Sequence, residues 1–86
     1  MPTISRFLGI IIRMFYSDHN PPHFHAEYNE YEASFSLPEL KILSGEMPAK
    51  VENLVKEWAE LHMEELLEDW ELSKNNKQPK KIKPLV

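Results

Sequence analysis

Cysteine is absent from this 86-residue chain and glycine occurs only twice. Without thiols there are no disulfide staples, no thiolate metal sites and no cysteine nucleophile, which leaves histidine as the only soft metal ligand. Long apolar runs are lacking as well. The longest, residues 7–12 with Gly9 inside it, falls far short of the ~20 residues that a bilayer span needs. No apolar segment with a small-residue cleavage site follows a basic start. The expectation is therefore a cytoplasmic protein with no membrane attachment. Positive charge is also in deficit, with 10 Lys plus Arg against 14 Asp plus Glu and a net charge of −4.

What is present suffices for one compact unit. At this length folding hides about 60 to 65 per cent of the unfolded surface, and residues 1–86 read as a single domain. A hydrophobic content of 42%, with two Trp, four Phe and three Tyr, supplies a core and argues against disorder. Charge is unevenly spread, at −3 over residues 1–47, −6 over 48–72 and +5 over 73–86. Such an arrangement suits a basic tail that folds back on an acidic helix or reaches an acidic partner.

Residues 3–16 are rich in β-branched and aromatic types and predict one or two strands, with Gly9 at a turn or bulge. Asp18, Asn20 and the Pro21–Pro22 pair mark a turn. Two alternating arms, residues 22–28 and 31–36, flank Asn29 and Glu30 and predict a hairpin. In that register Tyr28 faces Tyr31, Ala26 faces Ala33 and Phe24 faces Phe35 on one side. The other side carries His23, His25, Glu27, Glu32, Ser34 and Ser36. A further short strand is expected within 40–44, ended by Ser44–Gly45. From Pro48 to Leu72 nothing breaks a helix, and Val51, Leu54, Val55, Trp58, Leu61, Leu66 and Trp70 form an apolar stripe with one skip. The expected fold is α+β: a small antiparallel sheet of four to five strands, with one long amphipathic helix (48–72) on its apolar face. A basic, extended tail (73–86) follows, with an edge strand as one of its readings.

Chemistry concentrates between Asp18 and His25. Alternation in His23-Phe24-His25 puts both imidazoles on one strand face, with Cα atoms roughly 6.5 to 7 Å apart. That span suits two ligands of one metal, with His19 or Asp18 as a third. It also suits an acid and a base flanking a phosphate, with Arg13 binding the anion. The metal reading takes His19, His23 and His25 as ligands of zinc or nickel. The metal-free reading is a ribonuclease-type enzyme using His23, His25 and Arg13. Against nucleic acid stand Glu27 and Glu32 on the same face, and the lysine tail lacks interleaved aromatics. An Arg13 pair with Glu27 or Glu32 is the plainer reading of that arginine. His62 reads as a packed histidine within the stripe, and Trp70, near the end of a long helix, as an exposed anchor for a partner or a second copy.

Met-Pro-Thr-Ile-Ser-Arg-Phe at residues 1–7 and Asp-His-Asn-Pro-Pro-His-Phe-His-Ala at 18–26 carry a family resemblance. With Gly-Ile-Ile-Ile-Arg-Met-Phe-Tyr (9–16), Glu-Trp-Ala-Glu-Leu-His (57–62) and Lys-Ile-Lys-Pro-Leu (81–85), the chain resembles the bacterial domain-of-unknown-function family 4160. The resemblance implies a small stand-alone protein without an established activity, encoded beside another small protein and proposed as half of a toxin–antitoxin pair. The motif residues that the resemblance implies, Arg6, Arg13, Asp18, His19, Asn20, His23, His25 and His62, are all present here, and a binding role is expected for Asp18, His19, Asn20, Arg6 and Trp70. The reading favoured at this stage is a protein-binding, regulatory component of a toxin–antitoxin-like pair with a small protein partner, self-association being a further expectation.

Overall fold

Alternation in the first half of the chain is realised as five antiparallel strands: β1 (Thr3–Phe7), β2 (Ile10–Arg13), β3 (His23–Tyr28), β4 (Tyr31–Ser36) and β5 (Ile42–Glu46). They lie in the sheet in chain order, each beside the next. The structure is a computed structural model and describes residues 2–86. Leu8 and Gly9, at φ of 52° and 81°, make the two-residue turn between β1 and β2, and Asn29, at φ 52°, opens the turn between β3 and β4. The hairpin register is the one the spacing predicts, with Phe24 opposite Phe35, Ala26 opposite Ala33 and Tyr28 opposite Tyr31.

Period-two alternation divides the sheet into an apolar and a polar face. On the apolar face Phe24 and Phe35 stack at 5.4 Å, and Trp58 meets Phe24 edge-on at 6.0 Å and Phe7 at 5.5 Å. Ile4, Ile10, Ile12, Met14, Ala26 and Ala33 complete this core. The polar face carries Arg13 opposite His25, then Ser34 and Ser44 along the same row. β5 begins and ends two residues later than expected and runs through Gly45. A side chain there would place a Cβ 2.1 Å from the Glu32 carbonyl oxygen, and φ is +79°, so only glycine lets β5 pair at that point.

The single helix expected over 48–72 is two helices, α1 (Ala49–Leu61) and α2 (Met63–Lys74). His62 leaves helical geometry at φ −123° and ψ 28°, turns its N–H to the Ala59 carbonyl and opens α2 by accepting the Leu66 N–H. Its Nδ1 lies 2.6 Å from Glu65 Oε1. Length gives the physical reason for the break. A straight helix of that span is about 36 Å long, more than the 33 Å longest dimension of the molecule. Bending returns Leu66, Trp70 and Ser73 to the interior and leaves Leu61 68% exposed. Trp70 is therefore no exposed anchor, since it retains only 3% of its surface. No helix among the described residues is long and apolar enough to cross a membrane.

The basic tail does fold back, though it forms no strand. Ile82 N–H donates to the Ile4 carbonyl at 2.8 Å, and Trp58 Nε1–H donates to the Lys83 carbonyl at 2.9 Å. Lys80 N–H donates to Asp69 Oδ1 at 2.8 Å. Asp69 is buried, and neither its Oδ2 nor Ser73 Oγ has a hydrogen-bond partner among the described residues. Burial pushes the Asp69 carboxyl up to about 6; the Lys80 N–H opposes that rise, and the Glu68 and Glu65 charges add to it.

Two outcomes follow for stability. Trp58→Ala lowers the unfolding free energy by about 3–5 kcal/mol, whereas Leu61→Ala changes it by less than about 0.5 kcal/mol; urea unfolding of both variants checks the contrast. A raised carboxyl pKa favours the folded state while the group is protonated, so the Asp69 contribution is present below about pH 4 and is lost as pH rises through about 6. The difference in urea midpoint between wild type and Asp69→Asn therefore shifts in favour of the variant between pH 4 and pH 7, roughly over that interval.

Candidate functional site

The segment between β2 and β3 crosses the end of the sheet and is tied down by α2. Ser17 N–H donates to the Ser73 carbonyl at 3.0 Å, and the Ser17 hydroxyl bonds the Asn76 side chain. So anchored, the segment carries Asp18 back over the polar face. Asp18 Oδ2 lies 2.9 Å from His23 Nε2 and 3.4 Å from His25 Nε2. One ligand atom from each of Asp18, His23 and His25 lies within 4.8 Å of the others.

Each imidazole is held from a second side. His23 Nδ1 sits 2.7 Å from the Pro21 carbonyl oxygen, which only accepts, so Nδ1 carries the proton. Nε2 faces the Asp18 carboxylate at 2.9 Å, a separation that a ring proton or a metal ion can each bridge. The His23 ring also packs on Trp70 at 5.3 Å, and the His25 ring lies under Phe15 at 4.2 Å. Beside them opens a cavity of about 420 Å³ lined by Phe15, Asp18, His25, Ser34, Leu43 and Ser44, among others.

Electrostatics follows from this packing. Burial raises the Asp18 carboxyl, but the His19 N–H and the two imidazoles outweigh it, and the group ends below the usual carboxylate range. Burial lowers the His25 imidazole, and the Asp18 charge only partly restores it. Both shifts favour the ligand forms, carboxylate and neutral imidazole, that a metal requires.

The sequence-predicted residues divide accordingly. His23 and His25 converge, and Asp18, expected in a binding role, takes the place proposed for His19. His19 points outward with its side chain 90% exposed, although its ring lies 6.2 Å from that of His23. Arg13 does share the imidazole face, and it is engaged there: Nε donates to Glu27 Oε2 at 2.9 Å and Nη1 to Thr3 Oγ1 at 3.2 Å. That geometry matches the plainer reading of Arg13 as a Glu27 partner. Arg6 and Asn20 are exposed and do not join the cluster. His62 stays on the helical side against Trp58, at 5.7 Å. The Pro21 carbonyl and Phe15 carry no residue-type signal in the sequence, and the burial of Trp70 against His23 depends on the bend at His62.

A five-stranded antiparallel sheet with C-terminal helices on its apolar face, and a His-His-Asp cluster on the other, define a small α+β domain. A family model described as domain of unknown function (DUF4160) matches residues 9–71, and the chain belongs to that family. The match spans the segment between β2 and β3, the hairpin and α2 through Glu71. No curated protein and no solved structure matches the chain.

In the metal-free protein the His25 imidazole titrates below the ordinary histidine value, and Asp18→Asn moves it lower still because the charge that favours the imidazolium is gone. A proton NMR titration of the imidazole resonances reads both effects.

Proposed function

We propose that the protein is a divalent-metal-binding module that uses Asp18, His23 and His25 to hold an ion of the zinc or nickel class. The observation that carries this reading is the convergence of one ligand atom each from Asp18, His23 and His25 within 4.8 Å, with His23 Nδ1 bound to the Pro21 carbonyl. Ligating histidines characteristically donate their second ring N–H to a carbonyl or carboxylate, which fixes the tautomer and the ring orientation. Two donors on one tetrahedral zinc lie roughly 3.3 Å apart, and the 2.9 and 3.4 Å separations bracket that value. Two imidazoles and one carboxylate form a three-ligand set that leaves a coordination position for water or another donor. When bound, the ion supplies Lewis acidity there; the chain orients the ligands and shields them with Phe15 and Trp70.

A ribonuclease-type function is less well supported. Arg13 is bonded to Glu27, and the carboxylates of the polar face repel a polyanion. A second reading, a regulatory, protein-binding half of a toxin–antitoxin-like pair, is favoured by the open edge of β5. That strand has no neighbour on its outer side among the described residues, and such an edge is a template for a partner's strand. Its support would vanish if the protein failed to associate with the product of a neighbouring gene of the kind that the family resemblance implies.

Titration calorimetry with zinc tests the metal reading. Uptake of one ion per chain is expected, weakened by roughly two orders of magnitude in His23→Ala and in His25→Ala and by less than about threefold in His19→Ala. No uptake, or an equal loss in His19→Ala, overturns it.

A further inference from the structure

Besides Asp69 and Ser73, a third buried polar side chain goes without a hydrogen bond. Ser5 retains only 6% of its surface, and its Oγ has no partner among the described residues. A hydroxyl shut away from water and left unpaired weakens the fold, so its position favours a partner supplied from outside the chain.

Ser5 lies where the sheet edge meets the tail. β1 is an edge strand, and its pairing with β2 shifts register between Thr3 and Ser5. On its outer side the tail is fixed at two successive residues, by the Ile82 N–H on the Ile4 carbonyl and by the Lys83 carbonyl under Trp58 Nε1. Strand and tail enclose a cavity of about 280 Å³ that Ser5 lines together with Thr3, Arg6 and Lys81.

The charge of this cavity is of one sign. Arg6 and Lys81 are exposed, and neither makes a hydrogen bond or ion pair with a described residue. None of the described lining residues is acidic. Glu27, which shares a row of the sheet with Arg6 through Ile11, is held by Arg13. Thr3 Oγ1 accepts the Arg13 Nη1 hydrogen and so keeps its own proton to give. Two cations and two hydroxyl donors therefore share one cleft. An uncharged guest gains nothing from the cations, whereas an oxyanion, which only accepts, can use all four groups. A planar carboxylate has two oxygens to offer; a phosphate group has three, enough for the guanidinium fork, the ammonium and a hydroxyl together. Ile4, Ile82 and Pro84 supply an apolar wall for whatever carries the phosphate.

We infer that the cleft between β1 and the tail binds the phosphate group of a small phosphomonoester. This site is independent of the metal-binding reading, because the cavity beside Asp18 reaches Leu43 and Ser44 near the opposite edge of the sheet.

Amide NMR of the full chain, kept metal-free with a chelator, reads binding residue by residue while phenyl phosphate is titrated in at constant ionic strength. Saturable shifts confined to residues 3–6 and 81–83 are expected in the millimolar range, with benzoate, a planar anion on the same ring, binding more weakly. Arg6→Gln weakens phenyl phosphate by roughly fivefold. Ser5→Ala weakens it by roughly tenfold without lowering the urea midpoint, because the hydroxyl is unpaired in the free protein. Shifts that do not saturate, shifts centred on His23 and His25, equal affinity for benzoate, or an affinity unchanged in Ser5→Ala each overturn the inference and leave the metal site standing.

Discussion

The period of two along β3 is the constraint on which the rest depends. Phe24 and Ala26 must enter the core to be covered by Trp58, and this forces His23 and His25 onto the opposite face, side by side. A slip of one residue would bury two imidazoles under an indole and expose two core side chains. The hydrophobic term that fixes the register, about 1.5–3 kcal/mol for each large apolar side chain buried, therefore also fixes the separation of the two rings. The chemistry of the polar face is held in place by packing it does not touch.

What the strand cannot provide is the third group, and that comes from the far end of the chain. Asp18 is delivered by a segment anchored at the end of α2 and just beyond it: Ser17 bonds the Ser73 carbonyl and the Asn76 side chain, the latter 59 positions further along. α2 reaches them only because the helix bends at His62. The same bend packs Trp70 against His23 and buries Asp69, which then receives the Lys80 N–H and helps hold the tail on β1 and Trp58. Bend, segment and tail are consequently one mechanical unit rather than three local features.

This division explains what was legible in the sequence. The hairpin register, the two faces, the helix-covered sheet and the pairing of Arg13 with Glu27 all follow from local periodicity and charge, and they could be read directly. The bend could not, since residues 48–72 contain no proline or glycine after Pro48 and the stripe continues almost in phase through it. Nor could the choice of Asp18 over His19. Adjacent residues in a turn differ only in which way the backbone rotates, and here that rotation is set by contacts with α2. Asp69 was hidden within an acidic run that otherwise faces water; only the folded tail distinguishes it from Glu68 and Glu71.

Placing Trp70 against His23 has a spectroscopic consequence. An indole 5.3 Å from an imidazole senses its charge and any ion it holds, while Trp58, sealed in the core on the other side of the sheet, does not border the cluster. The chain thus contains its own fluorophore at the site and its own internal reference, and occupancy can be followed by intrinsic emission without attaching a dye to a domain too small to tolerate one easily.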